Sequence, residues 1–274
     1  GIFKDCLGSG IENHIFLIPR LSQKKFDKLD AEGIYKIEDV PDGFDLTDNQ
    51  KKVHYAIKNN APYIDEGLKS ELNNIKWPAY YLDFETCITA IPLYADIAPH
   101  TQIPTQYSIH KYESIGSETG HFEYIADPAK DCRRELAEKL ITDLNSEGSI
   151  IVYSSFENTR IKQLIELFPD LADQLKKVQE RLVDLEKIIK EKFIHPKFEG
   201  KTSIKKTLPA LAPEFTYEGM EIADGFTASA YFAYMAQGKF DKDRMDSIIG
   251  NLLEYCKLDT LGMVKVHERL AENV

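Results

Sequence analysis

The stretch "YYLDFETC", residues 80–87, runs an apolar and aromatic segment into two carboxylates, Asp83 and Glu85, spaced two apart. In an extended strand, residues two apart share a face, so both acids project together while Leu82 and Phe84 point the other way. Two carboxylates held that close repel and raise each other's pKa unless a cation lies between them. Hard oxygen ligands at this density suit Mg²⁺ or Mn²⁺. An exposed salt-bridging pair is the plainer reading of D-x-E, but a strongly apolar strand is an unusual setting for one. Two further places could contribute. Tyr255 and Asp259 in "YCKLD" stand at i and i+4, on one face of a helix. Glu157 in "VYSSFEN" falls where a strand-like run gives way to a helical one, a position at which a helix N-terminus favours an acid in any case.

The elements that must position these groups follow from periodicity. "AYYLDFE" reads as a buried strand, entered through Pro78, which favours a strand start. "PTQYSIHKYES" and "GHFEYIAD" alternate at period two, so the three runs predict an antiparallel meander. "DCRRELAEKLITDL" and "ENTRIKQLIELF" have helical spacing and flank the apolar strand "SIIVYS". Residues 171–193 suit either one long helix or a helix broken by a short strand at "RLVDL", and the break is the preferred reading. "SIKKTLPALAP" starts a helix that its prolines cut short, and "MDSIIGNLLEYCKLDTLGMVKVHERL" is the strongest helical pattern in the chain. Before residue 77, "IFLIPRL" suggests a short strand and "LTDNQKKVHYAIKNN" a helix capped by Thr47 or Asp48. The expected class is α/β, a mixed sheet with an antiparallel three-strand meander flanked by helices. The expected division is a mostly helical N-terminal segment, 1–76, and a larger domain, 77–274.

A strand with D-x-E, an acid at a strand-to-helix junction and a late helix with Y-x-x-x-D, in that order, resemble the three motifs of the DnaQ-like (DEDD, tyrosine subclass) 3′–5′ exonuclease superfamily. More specifically, "WPAYYLDFETCITAIPLY", "IPTQYSIH", "HPKFEGKTSIKKTLPALAP" and "LLEYCKLDT" resemble an uncharacterised bacterial domain found C-terminal to RecB-like or Cas4-like nuclease regions. The resemblance covers residues 77–270 or so and implies a ribonuclease H-like fold. It also implies two divalent ions, Mg²⁺ or Mn²⁺, held by Asp83, Glu85, Asp259 and Glu157, with Tyr255 orienting the attacking water. The second motif departs from the pattern, since the superfamily usually has Asp where this chain has Glu157; Asp184 in "RLVDL" is the alternative fourth acid. Lys205, Leu208 and Ala210 follow the lysine motif of some proofreading exonucleases, which assigns Lys205 and Lys206 to substrate phosphate. Phe84 and Phe156 are candidates for stacking terminal bases, although period-two placement favours core packing for some of the aromatics. "KLDAEGIYKIEDVPDGFDLTDNQKKVH" resembles the tail of an upstream RecB-like region, which would precede this chain.

Bulk composition narrows the function classes. Across 274 residues the net charge is −11, which excludes a generally basic nucleic-acid coat but not a local basic or metal-loaded groove. The four cysteines are dispersed, without a CxxC pair or zinc-finger spacing, and suggest a reducing, cytoplasmic setting. No apolar run is long enough for a membrane helix. The leading expectation is metal-dependent 3′–5′ hydrolysis of single-stranded DNA or RNA. The alternatives are a non-catalytic nucleic-acid-binding or docking module of a larger nuclease, and a phosphodiesterase for small phosphate esters.

Overall fold

The computed structural model describes residue 6 and residues 8–274. The chain separates into two compact units, one of residues 1–72, 186–214 and 269–274, the other of residues 73–185 and 215–268. This differs from the expected division at residue 76. The first boundary falls close to it, but residues 186–214 belong with the N-terminal unit.

In that first unit α1 (Gln23–Ala31) and α2 (Asp48–Lys58) enclose an apolar core of Ile15, Leu29, Ile37, Val53 and Ala56. Thr47 caps α2 in a capping box with Gln50, so both groups satisfy backbone amides that the helix start leaves open. The expected strand at "IFLIPRL" is instead a 3₁₀ turn, Ile15–Leu17, whose Phe16 amide donates to the His14 ring, and Pro19 prevents a ladder from continuing. The two-residue strand β1 (Tyr63–Ile64) pairs antiparallel with a later partner, Phe193–Ile194, and Ile194 joins the same core. That pairing is what recruits residues 186–214, and strands of two residues carry no readable alternation.

The second unit is built on a five-stranded sheet. After α3 (Leu68–Asn73) come β2 (Ala79–Cys87), β3 (Ile103–Ser114) and β4 (Ser117–Ile125), an antiparallel meander. Helix α4 (Arg133–Asp143), strand β5 (Ser149–Val152), helices α5 (Phe156–Leu167) and α6 (Ala172–Gln179) and strand β6 (Leu182–Asp184) follow. β5 lies parallel to β2 and β6 parallel to β5, giving the order β4-β3-β2-β5-β6. The short strand expected within residues 171–193 is therefore present as β6. Next along the chain, α7 (Leu185–Lys192), β7 (Phe193–Ile194) and α8 (Ile204–Leu211) fall almost wholly in the first unit, and α9 (Gly225–Ala236) and most of α10 (Lys242–Ala271) in the second.

Strand β2 sits at the centre, with neighbours on both edges, and alternation decides what each face meets. Tyr80, Leu82 and Phe84 enter the main core with Leu136 and Leu140 of α4 and Ile161 and Leu164 of α5. The opposite face, carrying Tyr81, Asp83 and Glu85, meets α10: Tyr81 Oη and His267 Nδ1 are hydrogen bonded at 2.7 Å, and the Cys256 thiol approaches Asp83. Helix α10 is also pinned to β3, because Gln106 Nε2 donates to the Leu252 carbonyl at 2.8 Å and Ser108 Oγ bonds Thr260 Oγ1 at 2.9 Å.

The buried imidazole under this helix predicts acid sensitivity. Desolvation lowers the His267 pKa to about 4, whereas the unfolded chain titrates near the ordinary 6.5. Between those values the unfolded state binds more protons at this site, so the contribution of His267 to stability is full above pH 6.5 and is lost as pH falls toward 4. Buried carboxyls of raised pKa contribute with the opposite sign, which a wild-type versus His267→Gln comparison subtracts. The expected loss is on the order of 3 kcal/mol. Urea unfolding across this range, with His267 followed by NMR, checks it; a His267 midpoint near 6.5 in the folded protein would refute the claim.

Candidate metal centre

Three elements bring the acids together. From β2, alternation aims Asp83 and Glu85 at the same side, just before a bulge between Glu85 and Thr86 ends the regular ladder. From α10, the i and i+4 spacing presents Tyr255 and Asp259 side by side. Asp83, Glu85 and Asp259 each offer a carboxylate oxygen, and the three oxygens lie within 4.8 Å of one another. The fourth acid comes from the first turn of α5: Glu157 is 2% exposed, and its Oε2 is buried with no hydrogen-bond partner among the described residues.

Electrostatics record the crowding. Burial pushes the Asp83 pKa well above the carboxylate range, and the charges of Asp259, Glu157 and Glu85 push it further; relief comes from the Cys256 thiol, 3.7 Å from Asp83 Oδ2. Burial likewise raises Glu157 to about 8, with Asp184 and Glu85 adding to the rise while its own and the Phe84 backbone N–H groups oppose it. The orphaned Glu157 oxygen and three mutually repelling acids form a set of hard oxygen donors that fits divalent cations. Asp184, the alternative fourth acid, accepts from the Ser154 backbone N–H at 3.2 Å. Glu157 is thus the acid whose charge reaches both Asp83 and Glu85.

Tyr255 is buried at 4% exposure, and burial first and the neighbouring Asp259 charge next raise its phenol pKa. A second phenol, which the sequence reading did not single out, reaches the same carboxylate: Tyr217 Oη donates to Asp259 Oδ1 at 2.5 Å. Tyr217 lies in an irregular segment between α8 and α9, outside any periodic pattern that could have flagged it. Cys256 lies within the helical pattern of residues 245–270, and nothing in the sequence marks its thiol as a neighbour of Asp83.

The expected aromatic contacts divide. Phe84 is 3% exposed, its ring packs edge-on against Tyr107, and it forms part of the wall of the same groove that Phe156 lines. Phe156 is half-buried and lines a groove of about 630 Å³ that also includes Glu85, Ile88, Ile91, Phe226 and Tyr234. Phe226 is 85% and Ile91 79% exposed, an apolar display that a folded surface does not require. The guanidinium of Arg160, itself only 6% exposed, stacks over Phe156 at 5.0 Å and donates to Gln102 Oε1 at 2.7 Å, so it braces two residues of the groove wall from behind. Lys205 and Lys206 belong to the first compact unit, where Lys206 Nζ pairs with Glu199 at 2.8 Å.

Among the described residues no helix is long and apolar enough to cross a membrane. The chain is similar to two curated proteins. An uncharacterized protein of Mycoplasma genitalium (MG366) is 23% identical, over 74% of this chain and 33% of its own length. An uncharacterized protein of Ureaplasma parvum (UU173) is 25% identical, over 76% of this chain and 33% of its own length. The chain therefore spans about a third of the length of these relatives. Residues 80–203, which include Asp83, Glu85, Glu157 and Lys205's neighbours up to Ser203, match the model of a family described as a domain of unknown function (DUF2779).

Proposed function

We propose that this chain is a metal-dependent 3′–5′ exonuclease that hydrolyses phosphodiester bonds of single-stranded DNA or RNA. The observation that carries the reading is the convergence of Asp83, Glu85 and Asp259 on one point, with the buried, orphaned oxygen of Glu157 beside them. Its polarity rests on the resemblance to DnaQ-like exonucleases, and the sheet order β4-β3-β2-β5-β6 is compatible with their ribonuclease H-like fold.

Asp83, Glu85 and Asp259 would hold the Mg²⁺ or Mn²⁺ ions, with Glu157 completing the set. Bound ions supply an acidified water and charge stabilisation for the leaving oxygen of an in-line displacement. The protein's own contribution is positioning. Burial and the charges of Asp259, Glu85 and Asp83 drive the Tyr255 phenol upward from its ordinary pKa, so it stays protonated and serves as a hydrogen-bond donor that orients water, not as a base. The aromatic and apolar rim of the groove next to Glu85, with Phe156, Phe226 and Tyr234, gives exposed bases a surface to stack on despite the acidic whole. This rim favours a strand end over a small phosphate ester. The free cysteines suit a reducing, cytoplasmic setting, and an upstream RecB-like region is the proposed neighbour in a longer protein.

Digestion of 5′-labelled single-stranded oligonucleotides tests the proposal. Wild type with Mn²⁺ should give a ladder shortening from the 3′ end that EDTA abolishes, and Glu157→Gln should slow it about 100-fold, the upper range for a group that shapes a metal site. A dinucleotide cleaved while longer strands are spared would favour the small-phosphodiesterase reading. Oligonucleotide binding without any Mn²⁺-dependent cleavage would favour a docking module.

A further inference from the structure

The segment Phe215–Asp224 has neither helix nor strand, yet it is fastened at several points. Glu221 Oε1 accepts from Arg244 Nη2 and from Tyr231 Oη, while Oε2 accepts from Arg244 Nη1 at 3.2 Å and Asn251 Nδ2 at 2.9 Å. Ile222 is fully buried in the core, and Asp224 caps α9 through the Thr227 amide at 2.9 Å. At the other end Tyr217 reaches Asp259 Oδ1. Arg244, Asn251 and Asp259 are spaced by seven and eight residues on α10, so they lie along one face of that helix. The segment is a strap stapled along this face, and its last contact is a carboxylate of the candidate metal centre.

We infer that Tyr217 is a positioning residue of that centre, holding Asp259 by one oxygen so that the carboxylate is fixed in its ligand orientation. This rests on the metal-site reading of Asp83, Glu85 and Asp259. A carboxylate on a helix turns about two side-chain torsions, and a ligand that must be reoriented on each binding event binds its ion more weakly. Tyr255 flanks the same carboxylate from four residues earlier on the helix; Tyr217 donates to it from a different element, its ring centre 6.2 Å from that of Tyr255. A donor anchored on a second element fixes an orientation that the helix alone leaves free. A carboxylate has about four lone-pair sites, so accepting the Tyr217 phenol leaves capacity for a cation. The strap makes this donor rigid, and the Glu221 clamp transmits that rigidity to Tyr217.

Calorimetric Mn²⁺ titration of the EDTA-stripped chain tests the inference without reference to turnover. Tyr217→Phe removes one hydroxyl and keeps the ring, and should raise the Mn²⁺ Kd about tenfold. Glu221→Ala frees the strap and should weaken binding in the same direction, whereas the double variant should be no weaker than Tyr217→Phe alone, because both remove one effect. Tyr55→Phe, an exposed tyrosine of the first unit, should leave the Kd unchanged. At saturating Mn²⁺, cleavage by Tyr217→Phe should return close to wild type, as it does for a group that acts through ligand orientation. If wild type binds Mn²⁺ and Tyr217→Phe binds it equally well or more tightly, the positioning role is overturned while the metal site stands. If wild type binds no Mn²⁺, the site reading and this inference fall together.

Discussion

Asp83→Asn should abolish cleavage and, in the presence of EDTA, make the protein more stable. The two effects have one origin. Asp83 is at the centre of the acid cluster, its pKa raised by burial and by Asp259, Glu157 and Glu85. Asn keeps the shape and can still accept from the Cys256 thiol, but it carries no charge, so it cannot replace a ligand that must neutralise a cation. Loss of an outer partner of a metal site costs about 10–100-fold, so loss of the central acid should cost at least about a thousandfold. The stability effect has the opposite sign. A carboxyl whose folded-state pKa lies above its unfolded value near 4 binds more protons folded than unfolded, and stability therefore falls as pH rises from about 4 toward the folded value. Asn removes that loss. The variant should melt above wild type at neutral pH in EDTA. Mn²⁺ should raise the Tm of wild type and leave that of the variant unchanged. A variant that melts below wild type in EDTA would show that the acids are compensated within the protein, which contradicts the need for a cation.

What could be read in the sequence follows from the period of each element. The D-x-E pair was legible because a strand at the middle of a sheet has a long apolar run and strict alternation, and Tyr255 with Asp259 because i and i+4 define a helix face. The meander, β6 and the Thr47 cap were legible for similar local reasons. Glu157 was legible only as a junction residue; its orphaned oxygen depends on how α5 packs against β2, which no local pattern encodes. Tyr217 was invisible because an aperiodic strap delivers it, and the strap's course is set by the clamp of Glu221 with Arg244 and Asn251, between 23 and 30 residues away. The assignment of residues 186–214 was missed for a comparable reason, since a two-residue strand pairing joins segments about 130 residues apart. Contacts of this kind come from tertiary packing rather than from propensity.

Gly148→Ala should prevent the second unit from reaching its native state. β5 enters the sheet alongside the start of β2: Ser149 N donates to the Lys76 carbonyl at 2.8 Å, and Lys76 N donates to Ser149 Oγ at 2.9 Å. This brings the two backbones so close that a Cβ on Gly148 would fall 1.8 Å from the Pro78 carbonyl oxygen. Gly148 also has φ +80°, a left-handed conformation costing about 1–2 kcal/mol for a residue with a Cβ. Its carbonyl is further held by Arg181 Nε at 2.7 Å, so neither rotation nor displacement is available without breaking that bond. The obstacle is backbone on both sides, and relief means separating β5 from β2 at the register Ala79 to Ser149. The expected cost is about 4 kcal/mol or more, a large share of the 5–15 kcal/mol that stabilises a typical domain. Gly116, in the β3–β4 turn, separates the two causes: it has φ +76° but nothing within 4 Å of an added Cβ. Gly116→Ala should therefore lose only the conformational term, about 1–2 kcal/mol by urea unfolding, and keep Mn²⁺ binding. Equal stability of the Gly148 and Gly116 variants would mean that the β5–β2 approach tolerates a side chain. It would also mean that the placement of Asp83 does not depend on the tight join at the start of its own strand.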